Sequence, residues 1–518
     1  MKVFGARMGF LLAGLVASAM GAQQPVRTQQ GLVSGVRGEG VTAFKGIPFA
    51  APPVGELRWR RPVAPAAWQG VRRADHFSAS CMQTIRGEAL PWTREFLPQE
   101  PASEDCLYLN VWTGSAGPAG PANRPVLVWI HGGGFVEGSG APTVYSGEAL
   151  AKHGVVVVSI NYRLGVFGLM AHPELTEESP RHTSGDYGLL DTVAALRWVK
   201  ANIAAFGGDP AQVTIAGQSA GAQIAVYLTA SPLAKGLFRG AIFESGAYLT
   251  PPGTYTLQEA EEKGVAFAGA AGATSLKELR AMDAGALVKL YARAGVHFRA
   301  DVDGVFLTET PAAGFAAGRY NDVPTIDGQV ADEGSASARY GKTTVADYAA
   351  MAQKTYGAMS AEYLRLYPGK TDAEAGTSLK ESARDQDLVS MNLWGEKRAQ
   401  TAHSASFTYL FDRAIPWPEH PEFQAFHSGE IPYVLGNLAA LNRPYQPVDR
   451  TLERVASGYW VNFIRTGDPN GPGLPVWPAV RVGEHRTMEL GANVGPRPLA
   501  SAEKMRFWRQ FLASKTGS

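Results

Sequence analysis

The sequence predicts an α/β protein with a large, mostly parallel central sheet and helices on both of its faces. Short apolar runs rich in β-branched residues, typical of strands buried on both faces of a sheet, occur at Val126–Ile130, Val155–Ile160 and Val213–Ile215. Between the last two runs, apolar residues three or four apart mark one face of a helix over Leu190–Phe206. Strands that alternate with helices indicate an α/β architecture because each helix covers part of a sheet face.

Further elements follow from the same kinds of pattern. We expect a strand over Leu107–Trp112, joined to the next strand by a loop over Gly114–Pro125 that is rich in Gly, Pro and Ala. Gly207-Gly208 should end the long helix, since glycine is favoured just past helix ends. A second helix is expected over Ala222–Ala230 and a late strand over Ser406–Phe411.

Composition and charge exclude several classes of protein. Of the 518 residues, 45% are hydrophobic and 18% are charged, which is typical of a globular chain with a large core and not of a disordered one. Lys and Arg number 48 against 47 Asp and Glu, and no run of like charges occurs. The near-neutral balance argues against binding to nucleic acids or to membrane surfaces by electrostatics.

The first 22 residues have the features of a secretory signal. Lys2 and Arg7 precede an apolar stretch from Met8 to Ala19, which is shorter than the ~20 residues that span a bilayer. No later segment is apolar enough to span one, so we expect a secreted or periplasmic protein without an integral membrane segment once residues 1–22 are removed.

Cys81 and Cys106 are the only cysteines in the sequence. In an exported protein a lone pair is expected to form a disulfide, and the alternative is a pair of buried free thiols. Two cysteines at this separation are not a zinc pattern.

Gly217-x-Ser219-x-Gly221 has the spacing of a nucleophile elbow. A strand is predicted before it and a helix after it, as required for a serine that is lifted above a sheet on a sharp turn. The flanking glycines are needed where neighbouring elements leave no room for a Cβ atom. A serine at a helix N-terminus also directs the next backbone N–H towards a developing oxyanion.

His131-Gly132-Gly133-Gly134-Phe135 follows a predicted strand directly. Three consecutive glycines allow bare backbone to approach a substrate with several N–H groups turned to one point. A flexible turn and a phosphate-binding loop are the alternatives, but the lysine and the serine or threonine of a phosphate loop are absent. Together with the serine motif, this segment is better interpreted as an oxyanion hole, and His131 as a structural hydrogen-bonding residue.

These motifs resemble the type B carboxylesterase and cholinesterase-like family of α/β hydrolases, over nearly the whole chain after the signal. The similar segments are Phe44–Pro48, Leu57–Trp59, Glu104–Asn110, Asn161–Arg163, Phe206–Pro210, Gly217–Gly221, Trp460–Phe463 and Thr466–Asn470. The resemblance implies an α/β-hydrolase fold over residues 23–518 as a single catalytic domain. It also implies that the backbone N–H groups of Gly133, Gly134 and Ala220 form the oxyanion hole and that Cys81 and Cys106 form the first disulfide of the family.

The general base should follow a late strand, because the order in α/β hydrolases is serine, acid, histidine. His420 and His427 both follow the strand predicted over Ser406–Phe411, and spacing does not separate them. The resemblance does, since His427–Tyr433 is similar to the histidine motif of the family. His427 is therefore the expected base, and His420 is expected to be a solvated loop residue.

The acid is expected after the end of a strand at Val323–Ile326, where Asp332 and Glu333 are equal candidates on chemistry alone. The family motif Asp-Glu-Gly assigns the role to Glu333 and makes Asp332 an exposed turn residue. By the same resemblance, Ser245 matches a family serine that supports the catalytic acid without itself contacting the substrate.

Two residues bear on the charge of the substrate. Gln218 stands before the nucleophile where many family members have glutamate, which removes a negative charge that would favour cations. Trp92 lies between the two cysteines, where cholinesterases have a cation-binding tryptophan, but its spacing to Cys106 differs and an aromatic in such a loop is more often a packing residue. Choline esters are therefore not expected.

The sequence as a whole predicts a serine hydrolase that cleaves uncharged carboxylic esters through an acyl-enzyme, with a small-molecule ester as its partner and with no metal or organic cofactor. The same triad could serve carbamate, amide or lactone cleavage, or acyl transfer. A catalytically silent interaction module is disfavoured because the serine, acid, histidine and glycine triplet are all retained. The pocket walls that set specificity are expected between about Thr250 and Asp322 and near Trp417–Phe426.

Overall fold

The computed structural model describes residues 25–114, 123–246 and 253–516. In chain order, the strands are β1 (Val26–Arg27), β2 (Leu32–Ser34), β3 (Val36–Arg37), β4 (Val41–Pro48), β5 (Val71–Arg73), β6 (Ser80–Cys81), β7 (Ala102–Ser103), β8 (Tyr108–Gly114), β9 (Arg124–Ile130), β10 (Val156–Ile160), β11 (Gly208–Gln218), β12 (Gly240–Glu244), β13 (Tyr255–Thr256), β14 (Asp301–Val302), β15 (Thr325–Val330), β16 (Ser406–Phe411), β17 (Arg486–Leu490) and β18 (Gly495–Pro498).

The helices cover both faces of the main sheet and fill the long segments between its later strands. In chain order, they are α1 (Glu148–Lys152), α2 (Gly165–Leu169), α3 (Pro173–Glu178), α4 (Tyr187–Asn202), α5 (Ala220–Ala230), α6 (Leu257–Ala271), α7 (Leu276–Ala281), α8 (Ala284–Tyr291), α9 (Pro311–Ala316), α10 (Val345–Tyr356), α11 (Ser360–Leu366), α12 (Asp372–Thr401), α13 (Ile431–Val434), α14 (Pro447–Thr466) and α15 (Ala502–Thr516).

Eleven of the described strands form one sheet in the order β18-β17-β16-β15-β12-β11-β9-β10-β8-β4-β3. The run from β17 to β10 is parallel throughout. Antiparallel strands complete both edges, with β18 at one edge and β8, β4 and β3 at the other. The predicted fold, a mostly parallel sheet in an α/β-hydrolase arrangement, is confirmed.

Alternate residues of the central strands supply two apolar clusters, one on each face of the sheet. In β9, Val128 belongs to the cluster that contains Leu196 of α4. Its neighbour Leu127 belongs to the cluster that contains Trp460 of α14. Because successive side chains of a strand point to opposite faces, helices on both faces are needed to keep the apolar strands from water.

Several predicted boundaries need correction. The helix predicted over Leu190–Phe206 begins at Tyr187 and ends at Asn202, and a 3-10 turn continues to Phe206. The strand predicted to end at Val323–Ile326 is instead β15, which runs to Val330. The last residues of this strand were not predicted because the polar residues Asp327 and Gln329 suggest a loop, although both are buried within the strand. The acidic pair at 332 and 333 therefore follows the strand end almost directly.

Cys81 and Cys106 form a disulfide, and both residues are buried.

The predicted signal at residues 1–22 lies outside the described residues, and the single-domain organisation over 23–518 stays a prediction. No helix in the described ranges has both the length and the apolar character needed to cross a bilayer.

The double variant Cys81→Ala/Cys106→Ala should unfold at a lower urea concentration. The bond closes a loop with a sequence separation of 25, and opening such a loop costs about 3 kcal/mol of stability through the entropy of the unfolded chain. The measurement is urea unfolding followed by tryptophan fluorescence. Reductant should lower the midpoint of the parent protein and leave that of the variant unchanged; equal midpoints for the parent protein and the variant without reductant would contradict the expectation.

Candidate active site

Ser219 lies in the sharp turn between β11 and α5. Its backbone has φ 56° and ψ −122°, a region that non-glycine residues rarely adopt, and its N–H donates to the carbonyl of Glu244 on the adjacent strand at 2.8 Å. Such a conformation persists only where the surroundings hold it, and it lifts the serine side chain above the end of the sheet. The strand, turn and helix that the sequence pattern predicted are all present.

The glycines on either side of Ser219 are required by close backbone approaches. A Cβ atom on Gly221 would lie 2.0 Å from the carbonyl oxygen of Ile130 in β9, and one on Gly217 would lie 2.5 Å from the carbonyl carbon of Gly221. Real Cβ atoms do not approach other atoms so closely, so side chains at these two positions would push the elbow away from the sheet.

The glycine triplet follows β9 and faces the same cavity as Ser219. Gly133 and Gly134 have φ values of 109° and 61°, and a Cβ on Gly133 would meet the carbonyl oxygen of Glu137 at 2.0 Å. Ala220 is the first residue of α5, so its N–H has no acceptor within the helix. Two of the three predicted oxyanion donors therefore lie on the glycine loop, and the third lies at the start of α5, directly after the serine.

His131 is buried at the start of this loop. Its Nδ1 is 2.8 Å from the carbonyl oxygen of Gly132, and its ring stacks on Tyr162 with a centroid distance of 4.3 Å. Burial lowers the pKa of His131 to about 4, so the ring is neutral over the physiological range. A neutral Nδ1–H that donates to Gly132 braces the glycine loop, in keeping with the predicted structural role.

Glu333 and His427 form a tight acid–base pair. The Oε2 atom of Glu333 contacts Nδ1 of His427, and its Oε1 accepts the backbone N–H of Val330 at 3.0 Å. Burial lowers the pKa of His427, but the negative charge of Glu333 and its hydrogen bond outweigh burial and raise that pKa above its usual value. This pair provides an oriented imidazole with a fixed tautomer.

The competing candidates have other partners. The carboxylate of Asp332 accepts the Tyr340 hydroxyl at 3.1 Å and the backbone N–H of Ala425 at 3.3 Å. His420 contacts Glu422 at 3.2 Å. The structure thus brings Glu333 rather than Asp332 to His427. Asp332 is half-buried and hydrogen-bonded within its loop, and is not the exposed turn residue that was predicted.

The second imidazole nitrogen of His427 has an unexpected partner. Its Nε2 is 3.0 Å from the side-chain nitrogen of Gln218. Among the described residues, no hydrogen bond joins Ser219 Oγ to His427, although both side chains line one cavity. Hydrogen bonds between catalytic groups are often long before substrate binds.

Two buried carboxyl groups behind the pair were not assigned a role from the sequence. Glu430 accepts the Ser245 hydroxyl at 3.5 Å, and Glu244 accepts the indole N–H of Trp460 at 2.9 Å. Burial raises the pKa of Glu244 to about 8 and that of Glu430 well above its usual range. The position of Glu430 three residues after the histidine, on the same turn, was the signal that could have found it.

Ser245, which was expected to support the acid Glu333, contacts a different carboxyl group. Among the described residues its hydroxyl donates to Glu430 at 3.5 Å, and no hydrogen bond joins it to Glu333. Ser245 follows β12, and its backbone N–H donates to the carbonyl oxygen of Gly328 in β15 at 2.7 Å. Its role as a support of Glu333 stays a prediction.

The cavity above Ser219 has a volume of about 330 Å³. Its walls come largely from the loop closed by the disulfide and from the glycine loop, with Ile85, Trp92, Phe96, Leu97, Val136 and Tyr145 as its larger apolar and aromatic side chains. Walls were expected between Thr250 and Asp322 and near Trp417–Phe426, but no lining residue among those that the structure describes falls in 253–322 or 417–426. The reason is that the disulfide loop folds over the end of the sheet that carries the serine.

Trp92 is part of this wall and does more than pack. Its indole N–H donates to the carbonyl oxygen of His427 at 3.2 Å and lies 3.4 Å from the hydroxyl of Ser428. The tryptophan therefore links the disulfide loop to the turn that carries the imidazole.

Within the described ranges, no group of three or more His, Cys, Asp or Glu side chains is arranged to hold a metal ion.

A parallel sheet that ends in a strained serine turn, with a glycine loop on the neighbouring strand, defines an α/β hydrolase. Comparison with known proteins narrows the class. The profile of the Carboxylesterase family matches residues 22–508, and the chain belongs to this family. Relatives that cover most of this chain are named as esterases, and this protein is an enzyme of the carboxylesterase type.

Individual relatives cover most of the chain. Fumonisin B1 esterase of Sphingopyxis macrogoltabida is 38% identical over 90% of this chain and 86% of its own length. Para-nitrobenzyl esterase of Bacillus subtilis is 35% identical over 91% and 95%. The solved structure of a PNB esterase superposes with a TM-score of 0.78 at 31% identity and covers 94% of this chain and 99% of that one.

Proposed function

We propose that the protein hydrolyses uncharged carboxylic esters with Ser219 as nucleophile, His427 as general base and Glu333 as the acid that orients the histidine. The observation that carries this proposal is the contact between Glu333 and His427 Nδ1, on a cavity that Ser219 and the glycine loop also line. A serine and an imidazole on one cavity, with a carboxylate bound to the other nitrogen of the imidazole, are the groups that acyl transfer requires.

In the first half of the reaction, the proton of Ser219 Oγ moves to Nε2 of His427 while Oγ bonds to the ester carbonyl carbon. The carbonyl oxygen takes the electron pair of its π bond, and the N–H groups of Gly133, Gly134 and Ala220 stabilise this oxyanion. The imidazolium then gives its proton to the leaving alcohol as the C–O bond breaks. Water repeats the sequence on the acyl-enzyme and releases the acid.

The cavity supports uncharged substrates with an apolar or aromatic group. Its walls contain Trp92, Phe96 and Tyr145, and Gln218 beside the nucleophile carries no charge. The charged side chains in the lining, Arg86 and Glu137, lie 3.4 Å apart and offset each other. The name of the para-nitrobenzyl esterase relative is consistent with aromatic ester groups in such a cavity.

A matched substrate panel tests the proposal. The uncharged 3,3-dimethylbutyl acetate should be hydrolysed with a kcat/KM at least equal to that of its cationic isostere, acetylcholine. A full negative charge about 5 Å from the cation would instead favour acetylcholine roughly 300-fold at an effective dielectric constant of about 20. A preference for acetylcholine of that size would contradict the charge assignment.

The same panel distinguishes ester from amide cleavage when p-nitrophenyl butyrate and p-nitrobutyranilide are compared. These two substrates share the butyryl group and the nitrophenyl ring, so they differ only in the ester oxygen or amide N–H that joins the two parts. The ester should be the far better substrate. A higher kcat/KM for the anilide would assign the site to amides.

A further inference from the structure

The side chain of Gln218 lies between the base and the glycine loop. The residue is 2% exposed and ends β11 directly before Ser219. Its Nε2 atom is 3.0 Å from His427 Nε2, and its Oε1 atom would lie 3.1 Å from a Cβ built on Gly132. The amide is therefore held against the atom that must receive the serine proton.

The partners of the imidazole determine which group donates. Nδ1 of His427 faces the carboxylate of Glu333, which can only accept, so Nδ1 carries the hydrogen of the neutral ring. Nε2 is then an acceptor, and the side-chain N–H of Gln218 is its donor. In the free enzyme the lone pair that would take the proton of Ser219 is already in a hydrogen bond.

We infer that Gln218 is a positioning residue: in the free enzyme its amide donates to Nε2 and disfavours protonation of that atom, and it must turn away before Ser219 can transfer its proton. A half-turn about χ3, a soft torsion, brings Oε1 towards the position of the amide nitrogen. The same side chain can then accept the Nε2–H of the imidazolium. The inference rests on the proposed function, in which His427 is the base.

The other groups around the imidazole do not explain this contact. Glu333 holds the opposite nitrogen, and Glu430 lies three residues along the same turn with Glu244 behind it. Burial raises the pKa of Glu244 and of Glu430, which favours their uncharged forms and leaves Glu333 as the main charge beside His427. The remaining titratable side chains of the cavity are Arg86, Glu137 and Tyr145.

The test is the pH dependence of Gln218→Met, which keeps the length of the side chain and removes the N–H. A hydrogen bond to the neutral imidazole disfavours its protonation. Its loss should move the acid limb of kcat/KM to higher pH by about half a unit to one unit. The acid limb of kcat should move less, because substrate and Ser219 occupy Nε2 in the complex.

Gln218→Glu is the second variant, and it should move the limb of kcat/KM further in the same direction because a carboxylate also stabilises the imidazolium by its charge. Gln83→Met is the matched control. Gln83 is another buried glutamine of the cavity wall, but its amide binds the carbonyls of Cys81 and Gly138 and not His427. This control should change the height of the profile without moving its acid limb.

An unmoved acid limb in folded Gln218→Met and Gln218→Glu proteins would overturn the inference, as would an equal shift in Gln83→Met. Circular dichroism establishes folding, and if the methionine variant does not fold, Gln218→Leu, which also removes the N–H without adding a charge, takes its place. Labelling of Ser219 by a phosphonate ester distinguishes failure of the role inferred for Gln218 from failure of the proposed function. A labelled enzyme with an unmoved limb rejects only the role of Gln218, whereas failure to label Ser219 rejects the proposed function.

Discussion

Ser219→Ala should lower kcat/KM for p-nitrophenyl butyrate by at least about 10⁴-fold while the protein stays folded. The loss is large because no other hydroxyl is held in the strained turn between β11 and α5, where φ is 56°. Residual activity would come from the oxyanion donors and the bound substrate alone. The measurement is the initial rate at matched enzyme concentration, with circular dichroism as the check on folding.

A phosphonate ester labels the same position directly. The parent protein should gain one adduct, and the modified peptide should contain Ser219, whereas Ser219→Ala should remain unlabelled. Ser245 is a suitable control because it also has a positive φ, at 55°, but lies behind the site and contacts Glu430. An adduct on Ser245, or activity in Ser219→Ala close to that of the parent protein, would reject the assignment.

Glu333→Gln should have the second-largest effect, a loss of about 10²- to 10⁴-fold in kcat. The amide keeps the volume of the carboxylate but cannot stabilise the imidazolium by charge, and its NH₂ group can favour the wrong tautomer of His427. Because Glu333 is the group that raises the pKa of His427, the remaining activity should also extend to lower pH. A pH profile of kcat/KM measures both effects.

Asp332→Asn is the matched control, since it removes the same charge one residue earlier. Its partners are the Tyr340 hydroxyl and the backbone N–H of Ala425, so the variant should retain most of its activity and lose some stability. Equal losses for the two variants would mean that the loop as a whole, and not the Glu333 carboxylate, supports the base.

The local features of the site could be predicted from sequence because their geometry demands particular residues. The contacts of 2.0 Å and 2.5 Å that a Cβ would make at Gly221 and Gly217 exclude every residue with a side chain from both positions. The strand before the turn is apolar because it is buried on both faces, and β16 was predicted with its observed bounds over Ser406–Phe411. Such constraints act within a few residues of chain and therefore leave a pattern in it.

The wall of the cavity could not be predicted in the same way. Nothing near Trp92 in the sequence indicates that its indole reaches the carbonyl of His427, which is 335 residues away. The strand β15 was cut short in the prediction because Asp327 and Gln329 are polar, although the sheet buries them. In both cases the packing of distant elements outweighs the local signal.

The sequence by itself determined the α/β class, the turn that carries Ser219 and the glycine loop beside it, because short-range sterics and periodicity dictate these features. Chemistry alone left Asp332 and Glu333 equal, and the family resemblance favoured Glu333, which the tertiary structure places against His427. Only the tertiary structure decided what the other nitrogen of His427 contacts. Glu333 and His427 are separated by 94 residues, and Gln218 and His427 by 209. These groups meet because β11, β15 and β16 are parallel, so the loops after them converge at one edge of the sheet.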